Sequence, residues 1–160
     1  MARSSFSRAR LTSDASLLPS ERGTVLAFDL GLKRTGVASG ELGIGVAHPL
    51  SVIHAPSTDA RLAAIEKLIH EWQPVLLVLG LPVHEDGSEH TMTRVARNFG
   101  KKLESQFGRP VFFVDERYTS TAAASALHAA GIHGKQNKAR QDAVAAQLIL
   151  QGFFDGRLTA

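Results

Sequence analysis

"VLAFDLGLKRTGVA" (Val25–Ala38) places an aspartate at the end of a short apolar strand, with a glycine and two adjacent cations just beyond it. Aspartate is a poor strand residue, so Asp29 at the end of a buried strand needs a partner or a chemical role. Gly31 allows a tight turn and a close backbone approach. The stretch therefore predicts the first strand of a sheet whose end carries a functional acid.

The pattern outward from this stretch predicts a three-layer α/β domain with a mixed five-stranded sheet flanked by helices. The first three strands follow one another closely, as in an antiparallel meander, with a break near Pro49. The fourth is a solid apolar run, which is typical of a central strand covered on both faces. The predicted strands are 25–29, 36–39, 44–53, 75–80 and 111–116, and the predicted helices are 58–72, 91–107, 121–131 and 139–155.

The 160 residues fit one domain. We expect a disordered basic tail over 1–22, although a transit peptide has a similar composition, then the domain over 23–156 and a short tail over 157–160. The chain has no cysteine, which excludes disulfides and thiolate metal sites and fits the cytoplasm. No run approaches the ~20 apolar residues of a membrane span. The net charge of +3 permits a nucleic-acid partner but does not demand one.

Three acids fall at the edges of predicted elements: Asp29, Glu116 and Asp142. Sites in open α/β sheets form beyond the carboxyl ends of strands, so these side chains could converge. Three neighbouring carboxylates repel each other, and a divalent cation would compensate that repulsion. Oxygen ligands without cysteine or a matched histidine pair favour Mg²⁺ or Mn²⁺ over zinc, and such ions suit phosphoryl transfer.

Each acid also has a structural interpretation. Asp29 could cap the following turn, Glu116 could pair with Arg117, and Asp142 could favour the dipole of its helix. Asp115 neighbours Glu116, and successive strand side chains point to opposite faces, so only one of the two should face the site. Their position alone does not choose between them.

Four motifs then resemble those of one family, YqgF, also called RuvX. FDLGLKRTGVA resembles its D-x-G-x-K-R-x-G-V-A opening, and GLPVHEDG resembles its G-L-P…G loop. VDERYTS resembles its D-E-R-x-[ST]-[ST] motif, and NKARQDAVAAQLIL resembles its K-x-x-x-D-x-x-A-A-x-x-I-L helix. The resemblance runs from Gly23 to about Phe154.

The resemblance implies a ribonuclease H-like fold related to the RuvC Holliday junction resolvases. It implies a divalent-metal-dependent nuclease acting in 5′-end maturation of pre-16S rRNA during ribosome biogenesis. Asp29, Glu116 and Asp142 would be the catalytic acids that bind one or two Mg²⁺ or Mn²⁺ ions, which also chooses Glu116 over Asp115. The implied partners are pre-16S rRNA or structured DNA, and the small ribosomal subunit, with the protein a monomer or weak homodimer.

Two positions depart from the family pattern. Resolvases of this fold class typically carry a second acid three residues before the helical aspartate, where this chain has Ala139. Many relatives also carry a glutamate shortly after the D-E-R motif, at the place of Ala122. The first departure weakens the expectation of a second metal ion.

Five polar side chains near the acids are candidates to contact phosphate: Lys33, Arg34, Arg117, Thr119 and Ser120. The two hydroxyls are equally suited to cap the next helix. Lys135, Lys138 and Arg140 precede Asp142 in a glycine-containing stretch, which suggests either a mobile substrate clamp or an ordinary linker.

The second predicted helix carries a basic stripe opposite its predicted buried face. That face repeats every four residues: Val95, Phe99, Leu103 and Phe107. Arg94, Arg97 and Lys101 would lie on the other side, where they could follow a nucleic-acid backbone or form a solvated surface.

His84 and His90 bracket three acids in HEDGSEH. The spacing matches no familiar pair of metal ligands, so we favour a polar loop at the rim of the site over a metal loop.

Three other functions are compatible with parts of the pattern. D-x-G after a first strand also resembles the phosphate loop of actin-like kinases, but those enzymes need two such domains. Nucleases of this fold class often use four acids, so a non-catalytic RNA-binding assembly factor would fit the absence of a fourth acid here, but the retention of the other three argues against it. A Holliday junction resolvase acting on branched DNA would fit the resemblance, but the sequence shows no clear dimer interface.

Overall fold

The structure, a computed structural model, describes residues 22–84, 86–116, 138–156 and 158–159. Its strands are β1 (Thr24–Leu30), β2 (Arg34–Glu41), β3 (Ala47–His54), β4 (Leu76–Leu81), β5 (Val111–Asp115) and β6 (Leu158–Thr159). Its helices are α1 (Thr58–Trp72), α2 (Thr91–Phe107) and α3 (Lys138–Phe154). The predicted helix over 121–131 and most of the N-terminal tail lie outside the described residues.

The strands form one mixed sheet in the order β3-β2-β1-β4-β5-β6. The antiparallel meander β1-β2-β3 and the parallel pairs β1-β4 and β4-β5 confirm the predicted mixed five-stranded sheet. The ladder between β2 and β3 shifts register opposite Pro49, where the sequence predicts a break. The two-residue strand β6 pairs with β5 inside the predicted C-terminal tail. It is too short to produce a hydrophobic periodicity in the sequence.

Helices cover both faces of the sheet. Leu26 and Phe28 of β1 belong to the core beneath α1 and α2, whereas Val25 and Ala27 belong to the core beneath α3. Because strand side chains alternate, Asp29 lies on the α3 face. The strand β4 is buried along its whole length, as its solid apolar run predicts.

Local details differ from the predicted elements. The hydroxyl of Ser57, rather than Thr58 or Asp59, caps α1 by accepting from the Ala60 N–H at 3.2 Å. The prediction that Val95 is buried in α2 is wrong, since it is 41% exposed. The buried face is centred one position further along, on small residues, one aromatic and one aliphatic residue at three- and four-residue spacing: Thr93, Ala96, Phe99, Gly100 and Leu103.

Within the described ranges, none of the helices has the length and apolar character needed to cross a bilayer.

Candidate active site

Asp29 lies near the carboxyl end of β1, between β2 and β4, and is half-buried. Its strand is held on one side by antiparallel β2 and on the other by parallel β4. The flanking Phe28 and Leu30 are buried in the opposite core, which fixes the direction of the strand. Asp29 therefore stands on a rigid central element, facing the layer that contains α3.

Glu116 directly follows β5 and reaches Asp29 across the end of β4. Its N–H donates to the carbonyl of Leu81 at 3.2 Å, which continues the pairing with β4 by one residue. Gly80 makes room for its side chain, because a Cβ atom at residue 80 would lie 2.8 Å from the Glu116 Cδ. Glu116 shares a side-chain hydrogen bond with Asp29.

The environment of Glu116 keeps its carboxyl protonated. Burial, the hydrogen bond with Asp29, and the charges of Asp29 and Asp115 raise the pKa of Glu116 from 4.5 to about 10. At neutral pH, Glu116 therefore donates its hydrogen bond to the Asp29 carboxylate. The two acids form a pair that holds one proton where two ionised groups would repel each other.

Asp142 lies in the first part of α3, beside the strand that pairs with β1. The α3 backbone packs directly on Gly36, whose register partner on β1 is Asp29. The Asp142 Oδ2 lies 2.9 Å from the Arg34 Nε, and the two side chains are 26% and 37% exposed, respectively. The fold thus brings Asp142 next to Asp29, while its carboxylate is paired with an arginine.

Two open cavities meet at Asp29. The first, of about 470 Å³, includes Glu116 and has a largely apolar wall, and the second, of about 500 Å³, includes Asp142 and the cations of the β1–β2 turn. Asp29, Gly31 and Leu32 line both cavities. We call them the apolar cavity and the cationic cavity. Their full linings are Asp29, Leu30, Gly31, Leu32, Pro82, Val83, His90, Met92 and Glu116 for the first, and Asp29, Gly31, Leu32, Lys33, Arg34, His54 and Asp142 for the second.

In the part of the chain that the structure describes, no three His, Asp or Glu side chains are grouped so that they could hold a metal ion. The predicted acids have other partners. Glu116 and Asp29 are joined by a hydrogen bond, and Asp142 faces Arg34. The structure thus shows a carboxyl pair and a neighbouring ion pair.

The predicted cations are only partly gathered at this site. Lys33 and Arg34 line the cationic cavity, and exposed Arg140 lies two residues before Asp142 in α3. Lys138 begins α3, but its side chain is outside the described part of the structure. The positions of Arg117, Thr119, Ser120 and Lys135 also lie outside it.

The basic stripe on α2 is interrupted. Arg94 and Lys101 are exposed, but the Arg97 Nε donates to the Glu89 Oε1 at 2.7 Å. The Arg97 guanidinium also lies 5.8 Å from the centre of the Phe113 ring. Arg97 is therefore tied to the loop before α2 and to β5, which leaves Arg94 and Lys101 as the stripe's two exposed cations.

The sequence interpretation missed two residues that shape the site. The Arg61 Nη2 donates to the carbonyls of both Gly31 and Leu32 at 2.8 Å, so a nearly buried arginine on α1 holds the turn after β1. Its position four residues before buried Ile65 is the signal that could have placed it on the inner face. His54 ends β3 and lines the cationic cavity, but no local pattern marks it.

The loop HEDGSEH joins β4 to α2 at the rim of the apolar cavity. The side chain of His90 caps α2 by accepting from the Met92 N–H at 3.1 Å, and its ring contacts the His84 ring at 4.7 Å between centroids. Asp86 accepts from the Ser88 N–H at 2.9 Å. The described polar groups of this loop are thus engaged in local contacts of the kind expected for a structured polar loop.

The RuvX family, described as Holliday junction resolvase, matches residues 23–156. A protein of Thiobacillus denitrificans named "Putative pre-16S rRNA nuclease" is 77% identical over 138 residues, which are 86% of this chain and 95% of the relative. A protein of the same name from Dechloromonas aromatica is 56% identical over 83% of this chain and 91% of the relative. A third, from Neisseria meningitidis (strain FAM18), is 51% identical over 84% of this chain and 89% of the relative.

Among solved structures, the chain is similar to Thermus thermophilus RuvC in complex with a Holliday junction substrate, with a TM-score of 0.52 and 16% identity over 84% of this chain and 95% of that chain. This likeness concerns the fold alone and confirms the predicted ribonuclease H-like class. The family match and the relatives confirm the predicted resemblance and the predicted class of enzyme, a nuclease that hydrolyses phosphodiester bonds. The chain belongs to the RuvX family of Holliday junction resolvases.

Proposed function

We propose that this chain is a divalent-metal-dependent nuclease that hydrolyses a phosphodiester bond in the 5′-end maturation of pre-16S rRNA. The observation that carries the proposal is the carboxyl pair of Asp29 and Glu116 at the carboxyl ends of β1 and β5, with Asp142 beside it. Relatives of 77%, 56% and 51% identity named "Putative pre-16S rRNA nuclease" support the substrate.

The chemistry of the donors suits a hard divalent cation, although their present positions would have to change to hold one. Glu116 and Asp29 are held together where two ionised carboxylates would repel each other, and the pair keeps a proton that a cation could replace. Both groups offer oxygen ligands, which suit Mg²⁺ or Mn²⁺, and one or two ions remain our expectation. Asp142 would complete the ligand set once its carboxylate leaves Arg34. When bound, such an ion activates water and stabilises the leaving oxygen.

The remaining residues of the site would bind and orient the substrate. Lys33, Arg34 and His54 line the cationic cavity beside Asp29, where a phosphate of the cleaved strand would be attracted to them. Arg34 would exchange its contact with Asp142 for one with phosphate. The other proposed nucleic-acid contacts are Arg94, Arg97, Lys101, Arg117, Thr119, Ser120, Lys135, Lys138 and Arg140.

A nuclease acting on a ribosomal RNA precursor would work in the cytoplasm and meet the small ribosomal subunit. We expect it to act as a monomer or weak homodimer.

Cleavage of branched DNA is the second candidate, because the family is described as Holliday junction resolvase. A resolvase must present two sites to one junction, so this function predicts a dimer in the presence of a four-way junction. The names of the relatives favour the RNA substrate.

End-labelled pre-16S rRNA leader and a four-way DNA junction, each titrated with Mg²⁺ and Mn²⁺, would test both candidates. We expect the RNA to be cut by the wild type and not by Asp29→Asn or Glu116→Gln. Glu66→Gln, a change of an exposed glutamate on α1, is the matched control and should cut normally. Undiminished cleavage by Asp29→Asn would end the proposal, and RNA binding without cleavage by the wild type would favour an assembly factor.

A further inference from the structure

We propose that the apolar cavity binds one unpaired nucleobase next to the scissile phosphate. The inference rests on the proposed nuclease function and deepens it, because it names the substrate class. The preferred substrate would be a single-stranded or bulged RNA segment whose base can leave its stack. A fully paired helix would be a poor substrate.

The two cavities at Asp29 are suited to different parts of a nucleotide. The cationic cavity contains Lys33, Arg34 and His54, which suit the phosphate backbone. The apolar cavity contains a cluster of aliphatic and thioether side chains and one imidazole: Leu30, Leu32, Pro82, Val83, Met92 and His90. Such a group of side chains suits contact with the flat face of a base.

The position of the apolar cavity beside the acids indicates which part of the substrate it would bind. Asp29 and Glu116 lie in its lining, so any ligand in it sits beside the carboxyl pair. A phosphodiester held at Asp29 would place the attached nucleoside within reach of this cavity. Its volume of about 470 Å³ lies in the range of small-molecule sites.

One wall of the cavity is a fixed turn that presents an exposed leucine. Leu32 is 83% exposed, yet its carbonyl accepts from the Arg61 guanidinium at 2.8 Å. The Gly31 N–H donates to the Arg34 carbonyl at 2.8 Å, and the Ala55 N–H donates to the Lys33 carbonyl at 3.0 Å. The turn is thus pinned from α1 and from the end of β3. An apolar side chain carried on a backbone that is already fixed can support a base without the cost of ordering the turn.

The opposite wall is pinned by Thr93. Its hydroxyl is fully buried, donates to the Pro82 carbonyl and accepts from the His90 N–H at 3.0 Å. This single side chain joins the loop after β4 to the first turn of α2. Both walls are therefore built before a ligand arrives.

His90 would add a polar contact to the base. Its Nδ1 accepts from the Met92 N–H, so the neutral imidazole carries its hydrogen at Nε2. That N–H is a donor suited to a carbonyl oxygen or ring nitrogen of a base. Apolar contact with one polar group matches the way proteins bind unstacked bases.

The test uses fluorescence of a short single-stranded RNA that carries 2-aminopurine beside the cleavage position. It is performed with the Asp29→Asn chain so that binding is measured without cleavage. We expect a change of fluorescence on binding, and about tenfold weaker binding when the same RNA is fully paired with a complementary strand.

Leu32→Ser and Met92→Ser should each weaken binding of the single strand by about tenfold, since each removes an apolar contact with the base. Ile44→Ser is the matched control, because Ile44 is a 72% exposed apolar residue in the β2–β3 connection and lines neither cavity. Leu32 is exposed, so its substitution should leave the thermal unfolding midpoint unchanged.

An abasic site in place of 2-aminopurine separates base binding from backbone binding. Removing the base should weaken RNA binding by the Asp29→Asn chain by about tenfold. In the chain that carries Leu32→Ser as well, removing the base should change the affinity little further. Equal binding of intact and abasic RNA would overturn the inference. If the wild type cuts abasic RNA normally, the nuclease proposal stands without the base pocket. If base-dependent binding is seen but no metal supports cleavage, the pocket stands and the nuclease proposal fails.

Discussion

Gly36 of β2 lies directly against the backbone of Asp142 in α3. A Cβ atom at residue 36 would lie 2.5 Å from the Asp142 carbonyl carbon and 3.2 Å from the Ala143 nitrogen. Because Gly36 is also the register partner of Asp29, this contact sets the distance between two predicted ligands that are far apart in the sequence. The absence of a side chain at Gly36 is thus required for α3 to approach β2 and bring Asp142 to the site.

Gly36→Ala should damage both the fold and the reaction. The obstacle is backbone, which cannot rotate away, so α3 must move off the sheet. We expect a loss of about 1–3 kcal/mol in the free energy of unfolding, as for other overpacked sites. Urea unfolding would measure it, and cleavage of the RNA leader should fall in parallel. A variant with wild-type stability and activity would show that α3 does not depend on this close contact.

Gly80→Ala should lower cleavage activity strongly and stability only slightly. The new methyl group would meet the Glu116 side chain, at 2.8 Å from its Cδ, and the flexible end of Ile149. Both can shift at small cost, so the unfolding free energy should change less than in Gly36→Ala. The displaced Glu116 loses its place beside Asp29, and we expect cleavage to fall by about 100-fold. Equal damage to stability in the two glycine variants would contradict this distinction.

The sequence indicates the strands and the acids because those signals are local. The apolar runs of β1 and β5 each end at acidic residues, so the strand pattern places Asp29 and the neighbours Asp115 and Glu116 at the edge of a sheet. The family resemblance, not the pattern, chooses Glu116 over Asp115. The buried face of α2 is less well predicted, since Val95 continues a four-residue repeat but lies at the edge of the face that packs.

Contacts between distant segments could not be predicted in this way. The carboxylate of Asp142 has Arg34 as a partner, although Arg34 precedes it by most of the domain. Arg61, on helix α1, binds the turn at Gly31, and His54, at the end of β3 on the outer edge of the meander, lines the cationic cavity. Each depends on how the layers pack, which no local period encodes.

Arg34→Gln should release Asp142 for metal binding. The pair is partly exposed, so its loss should change the unfolding free energy by no more than about 1 kcal/mol. Without the competing cation, Mn²⁺ should bind more tightly, by up to about tenfold or ~1.4 kcal/mol. Calorimetry without nucleic acid would measure this, with Lys67→Gln on α1 as the control. RNA binding should weaken in the same variant, and unchanged Mn²⁺ affinity would show that Arg34 does not compete for Asp142.

Arg61→Met should loosen the turn that carries Leu32 and Lys33. Two backbone carbonyls lose their donors, which we expect to cost about 1–3 kcal/mol of unfolding free energy. Hydrogen exchange at the amides of residues 31–34 should become faster, and cleavage should decrease. Lys67→Met, on the exposed side of α1, should change none of these. Slow exchange at the turn in Arg61→Met would mean that other contacts are sufficient to hold it.

Glu116 should make the metal-free protein less stable as the pH rises. Its pKa is about 10 in the folded chain, because of burial and the neighbouring Asp29 and Asp115, against an ordinary value of 4.5. Between these values the folded chain holds a proton that the unfolded chain releases. This contribution to stability is therefore complete below about pH 4.5 and is lost as the pH rises toward 10.

Urea unfolding in EDTA across this pH range would measure the effect. One proton changes the unfolding free energy by at most about 1.4 kcal/mol per pH unit, and Glu116→Gln should remove that share of the slope. Glu66→Gln, an exposed glutamate on α1, should keep the wild-type slope. Mg²⁺ or Mn²⁺ should restore stability at high pH in the wild type, since an ion that binds only the folded chain stabilises it, and should do so less in Glu116→Gln. Identical slopes in the wild type and Glu116→Gln would show that the carboxyl pair does not hold the proton assigned to it.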